Sequence, residues 1–220
     1  MRRVTLSFDN GPTPGVTERV LDILAQAGVR ATFFVIGEKL DDPAAAALMR
    51  QAHAAGHWIG NHTLTHSIAF GDRPDAAFAA REIGETEKRI GAFAHPDKLF
   101  RPYGKSGLTG AHLFSKAAKA YLLEERYCTL LWNNVPGDWR NPEGWLARCI
   151  ADVEKQEWSA VVLHDIADAC LGHLPELIDR LSDLGVEWRQ DFPESVVMTR
   201  GGALVNLPRA YVADGGDGAA

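Results

Sequence analysis

Hydrophobic and polar positions along this chain follow two rhythms. Short runs rich in Val, Ile, Leu and Phe fall at 4–8, 31–36, 57–60, 99–101, 128–132, 160–164 and 186–189, and each reads as a strand. Between them the apolar residues recur at helical spacing. Val16, Val20, Ile23, Leu24 and Ala27 form one such stripe, and Gly28 stands where a helix should stop. An Ala-rich segment, 43–55, ends at Gly56, and a Glu- and Lys-bearing segment, 74–90, ends at Gly91. Trp145, Leu146, Cys149, Ile150 and Val153 form a further stripe, and Leu174, Leu177, Ile178 and Leu181 the last, stopped by Gly185. Strand–helix alternation of this kind predicts an α/β architecture built on parallel strands. The periodicity leaves open whether those strands close into a barrel.

Composition narrows the class. The 220 residues are 46% hydrophobic and 24% charged, as expected of one globular domain. A net charge of −6 carries no basic footprint, so no nucleic-acid partner is expected. No apolar run is long enough to span a membrane, and none follows Arg2 and Arg3 as a leader would require, which predicts a cytoplasmic protein. Cys128, Cys149 and Cys170 are odd in number and lack CxxC spacing, and are expected to be buried thiols. The Gly- and Asp-rich end predicts a catalytic domain over 1–206 and a disordered tail over 207–220.

Candidate chemistry lies where the predicted strands end. Ser7-Phe8-Asp9-Asn10-Gly11-Pro12 runs a strand into a turn and presents Asp9 as a base or metal ligand. His62 and His66 are four apart, spaced to share a metal ion. His53 and His57 have the same spacing, but one lies inside the Ala-rich helix and the other opens a strand, so that pair reads as structural. Arg101 in Phe100-Arg101-Pro102-Tyr103-Gly104 is placed to orient a carboxylate. Asp138-Trp139 sets an acid beside an aromatic, and His164 ends the apolar run 161–163 where a general acid would stand. Each cluster alone is as readily a turn, a cap or a satisfied histidine. All five fall at the C-terminal ends of different strands, which a parallel sheet gathers on one face.

The ordered set SFDNGP, HTLTH, FRPYG, DW and VLHD resembles the five motifs of the polysaccharide deacetylase (NodB-homology, carbohydrate esterase family 4) family, and the likeness extends over about 4–190. The resemblance implies a distorted (β/α) barrel of about seven parallel strands. It implies a hydrolase that removes an N-acyl group, expected to be acetyl, from an amino sugar, with a small-molecule or oligosaccharide substrate. Asp9 would be the general base and His164 the general acid. Arg101 would orient Asp9, and Asp138 would pair with Arg101 and tune His164. Asn10, His62 and His66 would hold a divalent metal, expected to be zinc. The Tyr103 amide would stabilise the oxyanion, and Trp139 and Leu163 would line the acyl pocket.

The chain departs from the family pattern at four places. Asn10 stands where the family has a second Asp, so the metal set loses a charge. FRPYG is one residue shorter than the usual form, Asn133 replaces an upstream Asp, and Val162 replaces a Leu; all three are expected to affect substrate choice. Two alternatives follow from Asn10: a cyclic-amide or ureide hydrolase with little metal dependence, and a non-catalytic carbohydrate-binding homologue.

Overall fold

The strand β1 (Arg3–Asp9) sets the frame, because its alternation sorts residues between two environments. Val4, Leu6 and Phe8 join the main apolar core. Ser7 and Asp9 face the other way, where Arg101 meets both. The computed structural model describes residues 1–214, and among them nine strands form one sheet. After β1 come β2 (Thr32–Val35), β3 (Trp58–Asn61), β4 (Leu99–Phe100), β5 (Cys128–Leu130), β6 (Trp158–His164), β7 (Glu187–Arg189), β8 (Val197–Arg200) and β9 (Ala203–Leu204). The helices are α1 (Thr17–Ala27), α2 (Pro43–Ala54), α3 (Ala76–Ile90), α4 (Lys116–Glu124), α5 (Trp145–Glu154) and α6 (Leu174–Asp183).

The strand order is β6-β1-β2-β3-β4-β5-β8-β9, parallel from β6 through β5. β6 runs along one edge of β1 for its whole length, so β2 and β7 share the other edge, β2 beside Ser7–Asp9 and β7 beside Arg3–Thr5. Beyond β5 the chain returns to β6 through one isolated parallel bridge, Asn134 to Val161. The sheet is thus a curled, incompletely closed barrel, as the family resemblance implies. Phe34, Leu99, Cys128, Leu130 and Val197 fill its lower interior, with Phe192 packed against them. Outside, α1, α2, α5 and α6 cover β1, β2, β3 and β6, while α3 and α4 pack with Phe100, Phe114 and Tyr127 in a second cluster.

All seven expected strands and five expected helices are present, and Gly28 does end α1, in the left-handed region at φ 66°. Three elements were not expected. α4 buries only Ala118 and Leu122, too few to give a periodic stripe. β8 and β9 run antiparallel on β5, so the sheet is mixed rather than purely parallel. The expected disordered tail also starts too early. Leu207, Tyr211 and Val212 pack on the second cluster, and Val212 bridges Phe114. The rest of that expectation, 215–220, lies outside the described residues. Among the described residues no helix is long and apolar enough to cross a membrane. All three cysteines are free and buried.

Candidate active site

Strand register brings the chemistry together. Asp9 and His164 end adjacent parallel strands and are paired Cα partners. Asn61, which ends β3, pairs with Val35 on β2 and Phe100 on β4, so His62 and Arg101 follow at the same level of the barrel. Asp9, Asn10, His62, His66, Tyr103, Trp139, Val162 and His164 line one cavity of about 220 Å³, together with Trp132, Val135 and the segment 104–107.

Arg101 anchors the floor. It is 0% exposed and its guanidinium lies 4.0 Å from the centre of the Phe34 ring. Its Nη1 donates to Asp9 Oδ1 at 2.7 Å and to Ser7 Oγ at 2.8 Å, and Nη2 reaches the Leu131 carbonyl at 3.4 Å. Burial alone would raise the Asp9 pKa, but the charge and hydrogen bond of Arg101, with the charge of His164, outweigh it and hold the carboxyl below its usual value. Asp9 is therefore a carboxylate at neutral pH, placed at the end of β1 on its polar face.

Asp138 grips His164 twice. Its Oδ2 accepts from the His164 backbone N–H at 2.8 Å and its Oδ1 from Nδ1 at 2.9 Å. Burial pushes the imidazolium pKa down, but the hydrogen bond and charge of Asp138, with the charge of Asp9, leave it raised above the ordinary 6.5. The Trp139 ring packs 4.3 Å from the imidazole, centre to centre. The expected Asp138–Arg101 pair does not form, because both Asp138 oxygens are taken by His164 and Arg101 is taken by Asp9.

The histidine pair lies in a turn rather than a helix. Thr63 and His66 are left-handed, at φ 69° and 50°. Side chains hold them there: Asn61 Oδ1 accepts from the Thr63 N–H at 3.0 Å, Thr63 Oγ1 from the His66 N–H at 3.1 Å, and buried Glu82 from the Thr65 N–H at 2.9 Å. The two rings come within 4.6 Å. His62 Nδ1 lies 2.8 Å from the Arg101 carbonyl, an obligate acceptor, so Nδ1 carries the proton and Nε2 is left with a lone pair. Burial lowers the pKa of both imidazoles, that of His66 to about 3, so both are neutral.

These groups fit a cation. His62 Nε2 and Asp9 Oδ2 are two acceptors 3.5 Å apart, an arrangement that calls for a positive charge or a shared proton beside them. Asn10 is left-handed at φ 75°, a conformation Asn tolerates well, and its buried Oδ1 has no hydrogen-bond partner. Among the described residues no three His, Cys, Asp or Glu side chains gather as a ligand set. The donors here are two imidazoles and one neutral amide oxygen.

Two expectations that bear on substrate fit need correction, and one stretch of the lining was not foreseen. Leu163 is fully buried in the main core, since the strand period of two turns Val162 and His164 to the cavity and Leu163 to the helices. Asn133 lies outside the cavity, its amide bonding Ala160 N–H at 2.7 Å and the Trp158 carbonyl at 2.9 Å along β6. Lys105, Ser106 and Gly107 line the mouth unforeseen, because nothing in their sequence distinguishes them from an ordinary turn. His53 and His57 stay out of the cavity as expected. His57 Nδ1 accepts from the Ala31 N–H at 3.0 Å, and burial lowers its pKa to about 4.

Comparison with known proteins bears on the family and the fold. A chitooligosaccharide deacetylase of Rhizobium leguminosarum bv. trifolii is 35% identical over 141 residues, 64% of this chain and 61% of its own length. The chain thus spans about three-fifths of that curated relative. The family 4 carbohydrate esterase of Streptomyces lividans, solved with acetate, matches with a TM-score of 0.71 and 26% identity, over 89% of this chain and 96% of that one. A family 4 acetyl xylan esterase of Clostridium thermocellum, solved with a cobalt ion, matches with a TM-score of 0.70 and 27% identity, over 86% and 88%. The polysaccharide deacetylase family profile matches residues 1–119, more than half of the sequence, and the chain belongs to that family.

Proposed function

We propose that the cavity hydrolyses the N-acyl group of an amino sugar, releasing acetate. The observation that carries this reading is the facing pair at the ends of β1 and β6: Asp9, whose ionised form Arg101 favours, and His164, whose protonated form Asp138 favours, lining one small cavity. Amide hydrolysis needs a base to take a proton from water and an acid to protonate the departing amine, both competent at one pH. Asp9, oriented by Arg101, takes the water proton. His164, held by Asp138 through Nδ1, presents Nε2–H to the leaving nitrogen. The backbone N–H of Tyr103 has no acceptor among the described residues, which supports its use as a donor to the tetrahedral oxyanion. Trp139 and Val162 bound the space for the acyl methyl.

Asn10, His62 and His66 would hold a divalent metal, zinc by the chemistry of its imidazole donors. Bound there, the metal would polarise the acyl carbonyl and lower the pKa of water. The neutral Asn10 weakens that set, and it favours a second reading, hydrolysis with little metal dependence.

Acetate release from N-acetylglucosamine oligomers, assayed before and after chelation with zinc added back, tests both. Loss on chelation and recovery with zinc supports the first; undiminished release supports the second. No release from any oligomer sinks the deacetylase reading. Asn10→Asp should tighten zinc, measured by calorimetry, and unchanged affinity would remove position 10 from the ligand set.

A further inference from the structure

Asp165 follows His164 at the end of β6 and is buried, yet none of the roles above uses it. Its Oδ2 accepts from Thr17 Oγ1 at 2.6 Å, across 148 residues of sequence. Thr17 opens α1, and the same hydroxyl accepts from the Thr13 N–H at 2.7 Å. Asp165 also lies directly against Gly11, in the space that a Cβ there would occupy, so its carboxyl packs on the backbone that follows Asp9 and Asn10. The turn has further ties on its far side. Ile36 N–H donates to the Gly11 carbonyl at 3.0 Å, and Lys39 Nζ donates to Thr13 Oγ1 at 2.9 Å.

We propose that Asp165 is a positioning residue: packed on Gly11 and bonded to Thr17, its carboxyl fixes the Asp9–Asn10 turn against the strand end that carries His164. The base and the amide ligand share one turn, whereas the acid belongs to a segment far from it in sequence. Strand pairing sets the register of Asp9 and His164, but it stops at Asp9, where β1 ends. Asn10 lies beyond that point, and Asp165 ties the continuing loop back to β6. Gly11 is required here because any side chain would collide with this carboxyl. Burial pushes the Asp165 pKa up to about 7, opposed by the Thr17 hydrogen bond, so a neutral amide is a close mimic of the group.

The proposal rests on the hydrolase reading, so its test carries one readout that needs no turnover. Asp165→Ala, Asp165→Asn and Thr17→Val are compared with the unaltered chain for acetate release and for backbone amide exchange over residues 9–18. Asp165→Ala should lower kcat roughly tenfold to a hundredfold with KM little changed, as expected for reacting groups displaced by about an ångström. Exchange should quicken within 9–18 and not in α6 or β3. Asp165→Asn, which keeps an oxygen acceptor for Thr17, should restore both readouts. Thr17→Val should show the same local loosening to a smaller degree, and it decides the matter if Asp165→Ala does not fold. Unchanged exchange over 9–18 in the variants overturns the proposal. So does exchange that rises evenly along the chain, or an Asn variant as impaired as the Ala variant. If the unaltered chain releases no acetate, the hydrolase reading fails separately, and the exchange data judge the clamp by themselves.

Discussion

Asp9, Arg101, Asp138 and His164 on the cavity floor are each held by another buried group, whereas the rim from Lys105 to Gly107 is three consecutive left-handed residues beside an exposed opening. Asp9, Arg101 and His164 stand at or just past strand ends, so sheet register fixes them to each other, and Asp138 is fixed to His164 by two hydrogen bonds. The rim is a loop, pinned by the Trp132 Nε1–H donating to the Gly107 carbonyl at 3.0 Å and by a half-exposed ion pair between Lys105 and Asp72. An exposed pair of that kind contributes little stability. Left-handed Lys105 and Ser106 each add backbone strain that the floor does not carry. The difference separates chemistry, which needs fixed charges in low dielectric, from substrate fit, which tolerates a movable wall.

The comparison breaks if floor and rim substitutions have similar effects. Asp9→Asn and His164→Ala should each reduce acetate release by roughly a hundredfold to ten-thousandfold, the usual contribution of a positioned acid or base, while the melting temperature shows the fold intact. Residual activity near the unaltered level in either variant would take that residue out of the mechanism. Arg101→Met should destabilise the chain by about 3–5 kcal/mol in urea titration, because it leaves Asp9 buried and unpaired. A loss under about 1 kcal/mol would mean Asp9 does not depend on its partner.

The Asp138–His164 pair predicts a direction with pH. Its folded pKa is raised above 6.5, so its stabilising contribution is fully present below 6.5 and is lost as pH rises through the higher folded value. The acid form needed by the leaving amine disappears over the same range. Asp138→Asn should therefore move the alkaline limb of kcat/KM to lower pH, and an unmoved limb would separate Asp138 from the acid. On the rim, Lys105→Ala should alter KM more than kcat and leave stability within about 0.5 kcal/mol. His53→Ala, at an exposed position on α2 outside the cavity lining, should change neither kcat nor KM.

Much of the floor was legible in the sequence because it follows from strand periodicity and from polar residues at strand ends. β1 alternates Val4, Leu6 and Phe8 with Thr5, Ser7 and Asp9, and that pattern alone turns Asp9 away from the helices. His62 and His66 were legible from spacing, although the turn that presents them depends on Asn61 and on Glu82 from α3. The same period of two contradicts Leu163 as a lining residue once His164 is known to face the cavity. The partners of Asp138 were read only in part: the expected link to His164 forms, and the expected pair with Arg101 does not. Arg101 and His164 were both available to it in sequence, and only their separation in space decides between them.

What the sequence determined by itself is local: which segments form strands and helices, where glycines stop them, and which side chains stand at each strand's end. Those depend on interactions within a few residues, or on a period that repeats along one element. The tertiary structure decided which groups meet. It gave His164 to Asp138, Arg101 to Asp9, and Thr17 to Asp165 across 148 residues. It also added β8 and β9, which complete the sheet, while Phe192 helps fill the barrel beneath Arg101. Such pairings fall off with distance in space, which sequence separation does not encode, and so they exist only once the sheet has curled and the strand ends converge.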